Sequence, residues 1–419
     1  MPCFFWELME NITTYQVLLA VCSLIVISYF FTVINRLTRI PSVLLLLGAG
    51  IFLRWLAPKF GIGFQISPGV VELLGTIGLI MIVLEAGLDL HVTRDRMPLI
   101  RNSFFSALVI FVLSTCVIAG LLTWWMPAAP LLHCVVYAIP LSIVSSAIVL
   151  PSVHHLSHEK KEFLIYEASF SDILGIMAFN FFTASLTVTI DATIWFGESL
   201  ILAVLLSVLV CLALMWLLVR NRIQVKFFLV FAVLIIVYTG GKMLHLPSLI
   251  TILIFGLVVN NWELLHWPLL QRIFPVAHVD DMARFLKSIT AESSFLIRTF
   301  FFVIFGFQID LAFLHDPEVW QLGSAIVAAL LLLRFIYLRI LHRYNLFPEM
   351  FYIPRGLITV LLFYKIPEFQ KISNFNEGVL FFVILATGLI LMAGSIFYRD
   401  EPVEMKVLEE EFDSEGARL

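Results

Sequence analysis

LIYEASFSDILGIMAFNFF, residues 164–182, is apolar enough to lie in a lipid bilayer, yet it carries Glu167 and Asp172 five residues apart. A charge at the bilayer centre costs roughly 2.5 to 3.5 kcal/mol on insertion scales, so such a residue faces a cavity or a partner rather than lipid. At 3.6 residues per turn the two carboxylates stand about 140° apart around a helix and cannot point at the same feature. Two faces imply two tasks. One carboxylate can be neutralised permanently by an arginine while the other stays free to exchange a proton for a cation.

The chain around this stretch is just as apolar. Of its 419 residues 61% are hydrophobic and 13% charged, whereas a soluble domain sits near half apolar and about a quarter charged. The composition is that of a polytopic membrane protein. A net charge of −4 without a basic block argues against nucleic acid as a partner. Cys3, Cys22, Cys116, Cys134 and Cys211 show no metal-ligand spacing, so neither a disulfide nor a metal cluster is expected. Residues 1–13 lack a positive n-region, and the apolar run after them is too long for a cleaved signal, so it is expected to remain as the first span.

A transmembrane helix needs about 20 mainly apolar residues. Thirteen segments qualify, some shortened or broken: 14–35, 40–57, 69–90, 102–126, 130–153, 163–188, 193–219, 226–243, 247–260, 292–310, 319–341, 347–364 and 377–397. The long connection 261–291 is amphipathic and reads as an interfacial helix. Eighteen of the 26 Lys and Arg fall on the side of Arg36/Arg39, Arg94/Arg96/Arg101, Lys160/Lys161, Arg220/Arg222/Lys226 and the tail, against Arg54, Lys59, Lys242, Lys365 and Lys371 on the other. The positive-inside rule then puts the N-terminus outside and the C-terminus in the cytoplasm. The acidic tail at 400–419 reads as a short solvated cytoplasmic end.

Two spans are interrupted in corresponding places. The fifth reads AIPLSIVSSAIVLPSV (138–153), with Pro140 and Pro151 bracketing Ser145 and Ser146; the twelfth reads FYIPRGLITVLLF (351–363), with Pro354 and Gly356 around Arg355. Proline and glycine are common in membrane helices. Broken helices at matched positions of two halves nonetheless point to an inverted-repeat transporter with its site at the midplane.

Arginine suits the permanent partner because it does not deprotonate in a protein. Arg334, in AALLLLRFIYLRI (328–340), is the deepest candidate; Arg298, in SSFLIRTFFFVIFG (293–306), is nearer a span end, from which it can snorkel to the interface. Asp172 then lacks a neutraliser, and desolvation favours the protonated form of such a carboxylate, as proton exchange requires. Ser171, Ser145 and Ser146 can supply the uncharged oxygens that a small hard cation prefers, although a helix hydroxyl usually bonds its own i−4 carbonyl. His154, His155 and His158, in HHLSHEKKE (154–162), fit a pH sensor less well than a solvated loop and do not match HExxH. Glu85 and Asp89 lie near the inner end of the third span, where interfacial contacts account for them. A passive channel would need a continuous polar lining, and an enzyme a nucleophile with a nearby base; the spans offer neither.

EASFSD (167–172) resembles the E-S-x-x-N-D stretch in the sixth helix of the monovalent cation/proton antiporter superfamily, the sodium/proton exchangers and their bacterial antiporter relatives. LEAGLDL (84–90) is similar to that family's signature ending the third helix, RTFFFVIFGFQIDL (298–311) to its tenth-helix F-F-x-x-x-G pattern, and PRGLITVLL (354–362) to the Pro-Arg-Gly segment of its broken twelfth helix. The resemblance implies an all-α fold of about 13 transmembrane helices with two broken helices crossing at the site. It also implies a homodimer, with spans 1–3 and 8–10 as dimerisation part and spans 4–6 and 11–13 as ion-transporting core. It makes Asp172 the cation- and proton-binding carboxylate, with Ser171, Val144, Ser145 and Ser146 around it, Glu167 and Arg334 a structural ion pair, and Arg355 and Arg298 supporting residues. The chain departs from the pattern at Ser171, where the family has Asn, at Ala168, where it has Ser, and at Val144 and Ser145, where Thr-Asp is often found. The missing second aspartate bears on selectivity, and SSAIVL (145–150) is similar to the potassium-efflux branch. The expected activity is exchange of a monovalent cation, Na+ first and Li+ within range, for H+ by alternating access in the inner membrane, one for one and without a cofactor. K+/H+ exchange is the alternative.

Overall fold

The computed structural model of the protein describes residues 14–38, 40–56, 68–90, 92, 96–153, 155–184, 190–220, 227–243, 248–264, 276–309, 312, 315–342, 347–373 and 375–398. Cys3, Arg39, Lys59, Arg94, His154, Arg222, Lys226, residues 265–275 of the 261–291 connection and the tail lie outside the described residues. The described chain is helical throughout: α1 (Thr14–Thr38), α2 (Ser42–Leu56), α3 (Pro68–Asp89), α4 (Met97–Trp125), a fifth helix in two pieces, α5a (Leu131–Ser142) and α5b (Ser146–Ser152), α6 (His158–Thr183), α7 (Ile190–Arg220), α8 (Phe227–Met243), α9 (Ser248–Asn260), α10 (Val276–Gln308), α11 (Pro317–Tyr337), α12 (Leu357–Tyr364) and α13 (Gly378–Phe397). In lipid every backbone polar group must be satisfied within the protein, and a helix does this within each apolar run.

Among the described residues six stretches are long and apolar enough to cross a membrane by length and composition, with mean hydropathy from 1.4 to 2.7, and four more are shorter apolar helices. Helix α6 is not among the six. Its 26 residues carry His158, Glu159, Lys160, Lys161, Glu162, Glu167 and Asp172, and it is sheathed by α4, α5a and α5b. The outer surface of the bundle is apolar, as at Leu19 and Phe30 of α1, Ile201 and Leu209 of α7 and Leu332 of α11. Apolar side chains there face lipid without penalty, and the chain is a multi-pass membrane protein.

Packing divides the helices into two groups. In the first, α4 packs on α5a, α6 and α11, α11 on α13, and α12 on α5a; in the second, α2 packs on α10, α3 on α9 and α10, and α9 on α7 and α8. Small residues bring the second group together. A Cβ added to Gly87 of α3 would stand 2.6 Å from the Leu253 carbonyl oxygen of α9, and one on Gly256 3.0 Å from the Leu84 carbonyl oxygen. Such close approach replaces the hydrophobic drive that lipid does not provide between helices.

One boundary differs from the expectation. The hydropathy pattern starts the tenth span at residue 292 after an interfacial connection, but α10 is a single helix from Val276, 33 residues long. At 1.5 Å per residue it measures roughly 50 Å, well beyond the roughly 30 Å hydrocarbon core. Val279, Met282, Ala283 and Leu286 are buried, while Asp281 and Arg284 pair on the exposed face. The amphipathic pattern of this segment is therefore that of a helix side packed on its neighbours, continuous with the apolar half.

The glycine seam gives a test. Gly87→Val should lower the thermal unfolding midpoint of the detergent-solubilised protein, by an overpacking cost of about 1 to 3 kcal/mol. Gly120→Ala, with open space around its added methyl, should melt as the parent does; equal midpoints for all three proteins would contradict the seam.

Candidate ion site

The two interruptions meet each other. Residues 143–145 and 352–356 are non-helical, and the Ser145 amide donates to the Pro354 carbonyl at 2.9 Å. Pro140 within α5a and Pro354 with Gly356 before α12 deny the chain a continuous helix. Each backbone group the breaks release then needs a partner. The Val144 amide donates to Ser171 Oγ at 2.9 Å, the Ser146 amide to Asp172 Oδ2 at 3.1 Å, and the Arg355 amide to Thr387 Oγ1 of α13 at 3.2 Å. The guanidinium of Arg355, itself buried, donates through Nε to the Leu141 carbonyl at 2.6 Å and through Nη1 to the Ile353 carbonyl at 2.9 Å. It sits against the end of α5a, where the helix dipole favours positive charge, and makes no ion pair among the described residues.

Glu167 and Asp172 lie on different faces of α6 and have opposite surroundings. The carboxylate of Glu167 receives Arg334 of α11 fork to fork, Nη1 to Oε1 at 2.7 Å and Nη2 to Oε2 at 2.6 Å, with side chains 2% and 0% exposed. Ser106 of α4 also donates to Oε1, and Arg334 Nε donates to the Glu349 carbonyl at 3.1 Å. Such bidentate, charge-assisted bonding is the arrangement in which a buried pair offsets much of its desolvation.

Asp172 has no arginine or lysine within pairing distance among the described residues. Its Oδ2 accepts from the Ser146 amide and from Ser146 Oγ at 2.5 Å, whereas its Oδ1 is buried with no hydrogen-bond partner. The Ser145 hydroxyl is likewise buried without a partner, packed where a Gly356 side chain would stand. The Thr359 hydroxyl of α12 is another buried oxygen without a partner among the described residues. Val144 presents its amide to the break while its side chain is in the apolar core.

The site residues named from the sequence thus separate into three places. Asp172, Ser171, Val144, Ser145, Ser146 and Arg355 gather at the crossing, Glu167 and Arg334 form a pair beside it, and Arg298 pairs with Glu85 at 3.4 Å instead. Sequence reasoning missed Ser106 and Thr387. Nothing local distinguishes them from hydroxyls that bond their own helix, and Thr387 does that too, donating to the Val383 carbonyl at 2.7 Å.

A small recess with room for about one water molecule lies between the two helix groups, with Glu85 and Asp89 of α3 and Arg298 of α10 on one wall and Ser146, Leu150 and Ser169 on the other. It reaches the residue whose amide and hydroxyl hold Asp172. Away from this recess the groups meet directly, as where Lys365, just after α12, donates to Tyr238 of α8 at 2.7 Å.

Two interrupted helices crossing beside buried carboxylates, inside an all-helical bundle, define a membrane transporter and not an enzyme. The chain belongs to the sodium/hydrogen exchanger family: residues 21–397 match the description "Sodium/hydrogen exchanger, transmembrane". Its fold is similar to the structure of the sodium proton antiporter MjNhaP1 from Methanocaldococcus jannaschii at pH 8, with a TM-score of 0.63 at 18% identity, covering 91% of this chain and 93% of that one. It is similar also to the electron-microscopy structure of the same antiporter, with a TM-score of 0.64 at 16% identity, covering 93% of this chain and all of that one. No curated protein matches the chain.

The Glu167–Arg334 pair can be tested by a double-mutant cycle. Removing one partner of a buried pair leaves an uncompensated charge, a penalty of about 3 to 5 kcal/mol. Glu167→Ala and Arg334→Ala should each lower the unfolding midpoint strongly, and the double variant should lose less than their sum; strictly additive losses would mean that the two are not coupled.

Proposed function

We propose that the protein exchanges a monovalent cation, Na+ before others, for H+ by alternating access, one ion for one proton, with Asp172 as the group that holds each in turn. The observation that carries this reading is the asymmetry of the Asp172 carboxylate. Oδ2 is held by Ser146 while Oδ1 is buried and unpartnered, in a site where the neighbouring Ser145 hydroxyl is unpartnered too. A buried polar atom left without a bond is costly, and a proton on Oδ1 or a cation against it removes that cost. The two cannot be there together, which is the condition for exchange. Uncharged hydroxyl and carboxylate oxygens are the donors that small hard cations take.

K+ is the second reading, favoured by the neutral Val144 and Ser145 where a Thr-Asp pair would add a second charge. The helix groups suggest the division of labour: α4 to α6 with α11 to α13 as the moving core, and α1 to α3 with α8 to α10 as the part through which two copies of the chain associate. The loop charges favour an inner-membrane orientation with the C-terminus in the cytoplasm, onto which the recess beside Asp89 would open.

Two measurements test the reading. With a pH dye in everted membrane vesicles, Asp172→Asn should reduce Na+-, Li+- and K+-driven proton flux to background while the variant remains folded and membrane-inserted; persisting flux removes Asp172 from the mechanism. The second concerns charge. Arg334 cannot release a proton and the fifth span has no aspartate, so Asp172 alone changes its occupant and no net charge moves. A membrane potential acts with about 2.3 kcal/mol per charge per 100 mV, so a K+ diffusion potential set with valinomycin should leave the Na+-driven rate in proteoliposomes unchanged, where K+ is shown not to be carried. A rate that changes severalfold with the sign of the potential would reveal a second titrating group.

A further inference from the structure

The recess wall that faces the site carries a pair of charges that the exchange cycle above does not use. Glu85 of α3 and Arg298 of α10 are partly shielded, with side chains 12% and 16% exposed, and touch through a single contact of 3.4 Å from Nη2 to Oε1. The contrast with Arg334 is direct, since that guanidinium is locked by two bonds of 2.6 and 2.7 Å to Glu167. A loosely held pair on the wall of a small recess is a dipole rather than a neutral brace. Both of its ends line the same space as Ser146 and Ser169 on the facing wall, and Ser146 holds Asp172. Nearer the end of α3, Asp89 is matched by Lys287 at 2.9 Å. Glu85 and Arg298 thus border the same recess as Ser146, the residue that holds Asp172.

We propose that the Glu85–Arg298 pair tunes cation entry: Arg298 holds down the local cation concentration next to Asp172, and Glu85 offsets it. This rests on the exchange reading given above. A recess walled by low-dielectric protein focuses the field of such charges, and a fixed charge of one sign raises or lowers the local concentration of the ion it faces. The two residues act with opposite sign on the same step. That separates this role from structural bracing, in which losing either partner has the same effect.

The experiment is a Na+ titration of proton flux in everted vesicles, read as apparent KM. Arg298→Gln should lower the KM and Glu85→Gln should raise it, each by about threefold or more, the scale of Coulomb's law for a unit charge acting across a wet recess. The double variant should return close to the parent, and choline chloride should shrink both single shifts by screening. Asp89→Asn removes another carboxylate from the same wall and should raise the KM as well, which keeps the test sound if Glu85→Gln does not fold. Charge-preserving Arg298→Lys should stay near the parent value. Single variants whose KM values move in the same direction, or do not move while their unfolding midpoints fall together, would overturn the proposal and leave the pair as a brace. Parent vesicles that show no flux with any monovalent cation would take down the exchange reading and this proposal with it, whereas parent flux with parallel shifts overturns the pair's role alone.

Discussion

A peptide group in the middle of a bilayer has no water to bond, and two helices of this protein stop in the middle of theirs. The rest of the core follows from how those stops are satisfied. The break in α5 and the break before α12 answer each other through the Ser145 amide and the Pro354 carbonyl, but one such bond leaves several groups over. Side chains from two other elements and from the second break itself supply what is missing: Ser171 and Asp172 from α6, Thr387 from α13, and the guanidinium of Arg355. The crossing is thus made largely of groups recruited to hold irregular backbone, as the constraint on non-helical chain at membrane depth requires.

Charge is handled with equal sparseness. Four ionised or ionisable groups lie at this level: Glu167, Arg334, Arg355 and Asp172, all essentially without exposure. Glu167 and Arg334 cancel in a geometry that fills both carboxylate oxygens. Arg355 is set against the carbonyl end of a half-helix, where peptide dipoles do part of a counter-ion's work. Only Asp172 is left with an oxygen that nothing in the described protein satisfies. Because Glu167 and Asp172 stand on one helix only five residues apart, their difference comes from which neighbours α6 meets on each side. Helices α4 and α11 lie beside the first carboxylate, and α5b lies beside the second.

Much of this architecture is legible in the amino-acid sequence. The apolar runs are long and lipid leaves the backbone little choice but the helix, so the spans can be read; the two carboxylates announce themselves as charges in the wrong solvent; and Pro140, Pro354 and Gly356 mark the breaks. What cannot be read is pairing across the chain. Glu167 and Arg334 are 167 positions apart, and Arg298 and Glu85 213, so only packing decides which arginine meets which carboxylate. The start of α10 escapes for a related reason. An amphipathic stretch next to an apolar one suits a helix lying at the interface as well as a helix that carries on with one side packed, and the buried face of Val279, Met282 and Leu286 becomes visible only in three dimensions. Ser106, which completes the Glu167 site, is one of four buried hydroxyl residues on α4, and sequence alone does not rank them.

The glycine contacts of the second helix group have a mechanical meaning. Gly87 meets Gly256, and Gly50 meets Gly306, main chain against main chain. A joint with no side chains in it has no rotamers to change and no soft volume to compress, so α2, α3, α9 and α10 form a stiff frame. Where the frame faces α5b and α6, by contrast, the contact runs through side chains around a small recess. The boundary between the two helix groups is thus the softer kind of joint, and it borders Ser146, the residue that holds Asp172.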